Sequence, residues 1–261
     1  MNEEIIKLYQ NGESMREIAK LTHHSRNTIS KILKENNIHV RYQNETSKIY
    51  TCNESYFKEI NSPDKAYWLG FLMADGFIES KRKNGNQKFG VTLQIKDEKH
   101  LYKFKEALNA TNPIKIYKGS GYNKDGLFAK ILITSQQIVD DLSKYGVVEH
   151  KTGIEQIPQN IPMRFVRDFI RGYFDGDGSI YFQKTNNAYF VSIVGPYDIL
   201  QSINNFLNID AKIHPDKSIY QVAYTNRKDV YNFLHTIYQD SSVYLDRKYQ
   251  LYLDYLKITE K

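Results

Sequence analysis

Two aspartates carry the strongest chemical signal in the chain. Asp75 and Asp177 lie 102 positions apart, each closing an apolar segment and each followed by glycine: Trp68-Leu-Gly-Phe-Leu-Met-Ala-Asp-Gly76 and Ile170-Arg-Gly-Tyr-Phe-Asp-Gly-Asp-Gly178. Within each segment two small residues fall four apart, Gly70 with Ala74 and Gly172 with Gly176, and residues four apart share a helix face. Glycine inside a helix costs about 1 kcal/mol relative to alanine, a cost that close backbone packing of one helix on the other offsets. The spacing predicts two helices packed face to face and ending in a pair of carboxylates. A helix C-terminus carries partial negative charge, so a carboxylate there is misplaced by roughly 0.3–1 kcal/mol, and the glycine after it reads as a left-handed cap. Like charges that close need a cation between them. Hard carboxylate oxygens favour Mg²⁺, and such a centre suits in-line phosphodiester hydrolysis. One Asp-Gly after an apolar helix is ordinarily a turn; two equivalent copies are far more specific.

The elements that would position the acids repeat too. The first copy reads as helix (66–75), strand pair, helix (98–110), strand pair, helix (135–145). The second, from Arg164, reads as helix (to Asp177), strand pair, helix (196–207), strand pair, helix (227–238), then a last helix near 246–256. Alternation supports the strands: in VTLQIK, Val91, Leu93 and Ile95 face one way and Thr92, Gln94 and Lys96 the other. The expected fold is α+β, with two pseudo-symmetric αββαββα halves over 64–160 and 161–261.

Residues 1–40 read as a separate all-α module of three short helices. Ile5, Leu8 and Tyr9 face inward on the first, and Ser14 caps the second with Glu17 three positions on. Ile18, Ala19 and Leu21 form its apolar side. Ser25 caps the third, which points Ile29, Ile32 and Leu33 inward and Arg26, Asn27, Thr28, Ser30, Lys31 and Lys34 outward. The pattern resembles a helix-turn-helix of the resolvase or homeodomain-like kind, whose last helix lies in the major groove; the alternative is a small bundle that docks on the main domain. Residues 41–63 read as a linker with a short helix near Tyr56–Ile60.

Bulk properties narrow the classes. The chain has 261 residues, 41% hydrophobic, enough to bury a core. It has no apolar run of membrane-spanning length, and its N-terminus lacks the layout of a signal peptide. One cysteine, Cys52, precludes an internal disulfide framework and, with seven scattered histidines, offers no zinc ligand set. An intracellular protein is expected. Net charge is +6, but its distribution is uneven. The strand-pair stretches 77–96, 114–134, 179–194 and 212–228 carry +4, +3, +1 and +3, leaving −5 for the rest. Positive charge on sheet segments, with 21 tyrosines in the chain, points to a surface that faces phosphates.

The two acid-bearing segments resemble the motifs of a single-chain LAGLIDADG homing endonuclease, over roughly residues 65 to 258. The family's metal-binding acid, at the eighth motif position, falls on Asp75 and Asp177. The sixth, not the usual metal ligand, is Met73 in the first motif and Asp175 in the second. The resemblance implies a saddle of two four-stranded antiparallel sheets straddling double-stranded DNA, with the paired helices as its spine. It further implies a monomer with internal pseudo-two-fold symmetry that cuts both strands of a long site across the minor groove, leaving 3′ overhangs. Two or three Mg²⁺ ions would be shared between Asp75 and Asp177, with Ala74 and Gly176 in the metal set.

The family also uses a basic residue beyond each half's second strand pair. Lys151 and Lys248, 76 and 71 positions after their acids, occupy those places, with Arg247 an equally placed rival to Lys248. A further polar group near the end of the second strand maps to Lys96 or Asp97, whereas the equivalent Val194-Gly195-Pro196 has no polar side chain. That imbalance bears on whether both strands are cut equally. DNA contacts are expected from outward strand positions: Lys81, Lys83, Gln87, Lys88, Thr92 and Gln94 in the first sheet, and Tyr181, Gln183, Lys184, Ser192, Gln221 and Tyr224 in the second. Two other activities use such a scaffold, a non-cleaving DNA-binding regulator and an intron RNA maturase. An intein is not expected, because the ends lack the residues that splicing requires.

Overall fold

The computed structural model describes residues 2–41, 50–80, 85–121 and 124–259, so Lys81 and Lys83 lie outside the described residues. The chain divides into two compact units, Met1–Thr51 and Cys52–Lys261.

The smaller unit has three helices, α1 (Asn2–Gln10), α2 (Met15–Thr22) and α3 (Arg26–Glu35). Ser14 and Ser25 cap α2 and α3, accepting from the backbone N–H of Glu17 (3.2 Å) and Thr28 (3.1 Å). Ile5, Tyr9, Ile18, Ile29, Ile32 and Leu33 form the core. Leu21 departs from expectation: it is 63% exposed, because Met15, Ile18 and Ala19 form the packed stripe of α2. After α3 the chain turns back on α1, where Arg41 lies 3.8 Å over the Tyr9 ring and its N–H donates to the Tyr9 hydroxyl (2.7 Å).

The larger unit repeats one topology. Its first half holds α4 (Pro63–Ala74), β1 (Gly76–Ile78), β2 (Lys88–Gln94), α5 (Glu98–Ala107), β3 (Lys115–Lys118), β4 (Leu127–Thr134) and α6 (Gln136–Ser143). The second holds α7 (Val166–Asp177), β5 (Gly178–Gln183), β6 (Ala188–Gly195), α8 (Tyr197–Leu207), β7 (Ile213–Asp216), β8 (Ile219–Tyr224), α9 (Arg227–Tyr238) and α10 (Asp246–Thr259). The four-stranded antiparallel sheets run β1-β2-β4-β3 and β5-β6-β8-β7. Gly76 pairs with Val91 and Gly178 with Ile193, so the same 102-residue offset relates the strands as well as the acids.

One sheet face in each half is apolar, with Phe89, Val91, Leu93, Ala129, Ile131 and Ile133 buried in the first and Val191, Ile193 and Val222 in the second. Tyr224 belongs to this inner face, which corrects its expected place on the DNA side. It is 1% exposed and donates its hydroxyl to Asn204 Oδ1 at 2.8 Å. β2 ends at Gln94, two residues earlier than the alternation in VTLQIK suggested, and Ile95–Asp97 form a short 3₁₀ segment. The stretch expected as linker also differs beyond residue 51. Asn53 N–H bonds the Leu108 carbonyl at 2.7 Å, and Tyr56, Phe57 and Ile60 are buried in turns rather than a helix. Three apolar side chains among polar neighbours suffice to hold this segment on the core.

The spine is the α4–α7 pair. A Cβ at Gly70 would lie 2.0 Å from the Phe169 carbonyl oxygen, and one at Gly172 would lie 1.9 Å from that of Tyr67. Backbone meets backbone at both points, as the small-residue spacing required. The glycines after the acids serve another end than expected. Gly76 and Gly178 are not left-handed caps; Gly178 is extended (φ −98°, ψ 168°) and opens β5. A Cβ at Gly76 would meet the Leu72 carbonyl oxygen at 2.5 Å, and one at Gly178 the Phe174 ring at 2.0 Å. The chain passes straight from helix to strand against its own last turn, which leaves no room for a side chain.

Candidate active site

The helix spine delivers both acids to one place. Ala74 and Gly176, the residues preceding the acids, touch: a Cβ on Gly176 would lie 2.4 Å from Ala74 Cβ and 3.4 Å from Asp75 Oδ2. Burial and the neighbouring Asp75 charge push the Asp177 carboxyl up to about 7, against the pull of Lys151. Burial raises Asp75 too, countered by Lys248, Lys151 and Arg247. Two carboxylates are thus held partly desolvated and mutually repelling, where a proton or cation is needed to settle their charge. Among the described residues no cluster of three or more His, Cys, Asp or Glu suited to a metal exists.

The two lysines lie close by, but they are engaged. Lys151, 7% exposed, donates from Nζ to the Ala74 carbonyl at 2.7 Å. Lys248, 1% exposed, donates to the carbonyls of Phe174 (2.5 Å), Asp175 (2.9 Å) and Gly178 (2.5 Å). Each ammonium caps the negative end of an acid-bearing helix, α4 for Lys151 and α7 for Lys248, and so offsets the dipole that opposes the acid there. Burial lowers both pKa values, that of Lys248 to about 8. Of the pair expected to join the metal set, Ala74 therefore presents its carbonyl to Lys151, and Gly176 is the point where the helices meet.

Residues to which the sequence assigned no role build the surroundings. Asp175, the motif position occupied by Met73 in the other half, is 1% exposed. It accepts from Tyr67 (2.7 Å), Tyr238 (2.6 Å) and the Leu245 N–H (2.7 Å), tying α4, α9 and the start of α10 to α7. His100 joins through Nε2 to the Tyr67 hydroxyl at 2.9 Å, and burial drops its pKa to about 3. Buried Arg171 pairs with Asp168 (2.8 Å) and donates to the carbonyls of Ile237 and Val243. Glu155, 7% exposed, faces Lys151 and Asp177 and accepts from the Gly153 N–H at 2.7 Å. A charged residue inside an apolar run was the available signal for Asp168, Arg171 and Asp175; nothing local marked Glu155, Tyr67 or His100.

The outward sheet faces receive most of the expected DNA contacts. Thr92 and Gln94 lie on the outer side of β2 with Lys88. Tyr181, Ser192 and Gln221 occupy the outer side of the second sheet, Gln183 ends β5, and Lys184 is exposed in the turn that follows. Gln87 is not displayed outward: its backbone and side chain bond Gln136 of α6 and the Glu79 carbonyl. Lys130 was missed, although alternation in LFAKILIT places it outward; it pairs with Thr92 and Lys115 and sits 4.5 Å over the Phe77 ring. Among the described residues the strands of the second sheet carry no Lys or Arg, since Lys212, Lys217, Arg227 and Lys228 fall outside them, and Lys88, Lys115 and Lys130 give the first sheet's outer face its basic charge. Arg26, Asn27, Thr28 and Lys31 are all exposed on α3 of the smaller unit.

Residues 164–238 match the family model described as a LAGLIDADG-like domain. Over 120 residues the chain is 29% identical to the DNA-directed RNA polymerase subunit Rpo1C of Methanocaldococcus jannaschii, a match covering 45% of this chain and spanning only 13% of that relative's length. The fold is similar to the homing endonuclease I-WcaI bound to its DNA recognition sequence (13% identity, 83% of this chain and 97% of that one, TM-score 0.58). It is also similar to the LAGLIDADG meganuclease I-AabMI bound to uncleaved DNA (12%, 76% and 90%, 0.51) and to meganuclease I-SmaMI bound to uncleaveable DNA (18%, 76% and 90%, 0.50).

Proposed function

We propose that this chain, which has the fold of the single-chain LAGLIDADG homing endonucleases and a LAGLIDADG-like domain over residues 164–238, is a site-specific endonuclease cutting both strands of DNA. The observation that carries the reading is the desolvated pair Asp75 and Asp177 at the ends of two helices in backbone contact. Mg²⁺ fits this donor set, because two carboxylates leave most of an octahedral shell to water and phosphate oxygens. Held there, such an ion would supply Lewis-acid activation of water and charge stabilisation for the leaving oxygen.

The chain's own residues do the rest. Asp75 and Asp177 would hold and orient the divalent ions. Lys151 and Lys248 neutralise the helix ends and keep both acids placed at ordinary pH. Lys88, Lys115 and Lys130 grip phosphates, while Gln94, Gln183 and Gln221, with Lys184 at the sheet edge, supply hydrogen-bonding groups suited to base edges. In the smaller unit Arg26, Asn27, Thr28 and Lys31 form the exposed face of a helix-turn-helix that extends the bound site. The larger unit acts as a monomer with an internal pseudo-two-fold axis. That the relatives' structures contain DNA supports double-stranded DNA as the partner.

The test is cleavage of a randomised duplex library in Mg²⁺, with the cut ends sequenced, for the wild type and for Asp75→Asn and Asp177→Asn. Both variants should lose double-strand cleavage while retaining DNA affinity. Sequence-selective binding by the wild type without cutting would move the reading to a non-cleaving regulator, and full cleavage by either variant would remove the acids from the mechanism.

A further inference from the structure

The outer faces of the two sheets stand in one register and carry different chemistry. The 102-residue offset sets Lys88 of β2 against Phe190 of β6, and Gly90 against Ser192. Across the first sheet Thr92 pairs with Lys130, which pairs with Lys115. At the same place in the second, Val194 pairs with Gln221, which pairs with His214. Lys88, Lys130 and Lys115 are thus answered by Phe190, Gln221 and His214. Among the described residues the strands of the second sheet hold one acid, Asp216, and no Lys or Arg.

Apolar groups alternate with amides on that second face. Tyr181 pairs with Phe190, their ring centroids 6.5 Å apart, and Tyr181 is 60% exposed. Beside them Ser179, Ser192 and Ala223 form a row of small side chains across β5, β6 and β8, with Ala223 exposed. Gln183 lies beyond the aromatic pair and Gln221 beyond the small row. A face without cations gains little from phosphate charge, so its hold on a duplex must come from base edges. The apolar group that base pairs present in the major groove is the thymine 5-methyl, and a glutamine amide matches N6 and N7 of adenine. Rings and an alanine methyl interleaved with glutamines therefore fit both members of an A·T pair.

We propose that Tyr181, Phe190 and Ala223 are specificity-determining residues that read thymine methyl groups, so that the half-site under the second sheet is A·T-rich. The half-site under the first sheet is held instead by the charge of Lys88, Lys115 and Lys130. This rests on the reading above in that both sheets face DNA. Binding energy then has two sources, one lost in salt and one indifferent to it, because methyl contacts release no counterions.

Duplexes selected from a randomised library by binding, without divalent ion, test this. An iron chelate attached at Lys217→Cys, in the turn between β7 and β8 and in a Cys52→Ser background, marks by backbone cleavage the half that lies under the second sheet. That half should be enriched in A·T pairs. Exchanging its thymines for deoxyuridine, which lacks only the methyl, should weaken binding about fourfold per contacted methyl, and the same exchange in the other half less than about twofold. Tyr181→Ala, Phe190→Ala and Ala223→Gly should each erase one such effect, whereas Tyr181→Phe should keep it, because the ring rather than the hydroxyl makes the contact. If Phe190→Ala fails to fold, the variants at exposed Tyr181 and Ala223 carry the test. Lys88→Ala, Lys115→Ala and Lys130→Ala should each lower the salt slope by about one and leave the deoxyuridine effects unchanged; Tyr181→Ala should do the reverse. No A·T enrichment under the second sheet, or deoxyuridine effects that persist in every variant, overturns the proposal and leaves the nuclease reading intact. A selected duplex that shows the methyl effects but is never cut in Mg²⁺ overturns the nuclease reading alone. Binding without sequence preference, together with no cleavage, overturns both.

Discussion

Replacing Gly172 by alanine sets two effects of opposite sign against each other. Alanine is the better helix former by about 1 kcal/mol, so an isolated α7 would gain. In the folded protein the new Cβ would lie 1.9 Å from the Tyr67 carbonyl oxygen, 2.8 Å from the Phe71 nitrogen and 2.9 Å from the Tyr67 carbonyl carbon. All three are backbone atoms of α4, so no side-chain rotation relieves the overlap. The helices must separate by an ångström or more, at a cost near the upper end of overpacking, about 3 kcal/mol. The net is a loss of roughly 2 kcal/mol, or about 4–8 °C in melting temperature for a unit of this size. Separation also moves Asp75 from Asp177, and a misplacement of about 1 Å costs on the order of 100-fold in rate. Thermal unfolding of Gly172→Ala with strand-specific cleavage kinetics measures both. A variant as stable as the wild type, or stabilised by the propensity gain, would refute direct backbone contact at this position.

Three other outcomes follow from the site. Asp177 sits at a folded pKa of about 7, above its unfolded value of 3.8, so the folded state holds the extra proton between these values. Without divalent ion, stability should fall as pH rises from about 4 to about 7, by at most ~4 kcal/mol; denaturant titrations across that range should show the slope, and Asp177→Asn should flatten it. Asp175→Asn offers one acceptor where Tyr67, Tyr238 and Leu245 donate and removes the charge beside Lys248. Destabilisation of about 2–4 kcal/mol is expected by urea unfolding, and an unchanged midpoint would contradict an ionised Asp175. Deleting residues 1–51, the whole smaller unit, should weaken DNA affinity and flatten its dependence on salt; identical salt slopes would show that α3 does not meet phosphate.

Much of this was legible in the chain itself. Asp75 and Asp177 at helix ends, the small residues four apart, and strand alternation such as that of Val91 and Leu93 are local patterns. They arise because a helix and a strand each repeat their faces over a few residues, so periodicity exposes which side must be buried, and duplication exposes that two such units pair. The caps at Ser14 and Ser25 were readable for the same reason, since a side chain three positions from its acceptor needs no knowledge of the rest.

Other features became visible only once distant segments met. Lys151 and Lys248 stand at the expected spacing, but their role as caps depends on carbonyls more than 70 residues away. The glycines after the acids look like turn residues in sequence and are instead steric necessities of a strand leaving its own helix. Arg247 and Asp97 are 150 residues apart, and only the docking of α10 across the interface makes them a pair. Asp175 reads as a spare acid until its three donors surround it. Sequence thus determined the two carboxylates and the helices that carry them, because periodicity is local. Tertiary structure decided which cations serve them and how unequally, because charge and hydrogen bonding act through space between groups that no local pattern links.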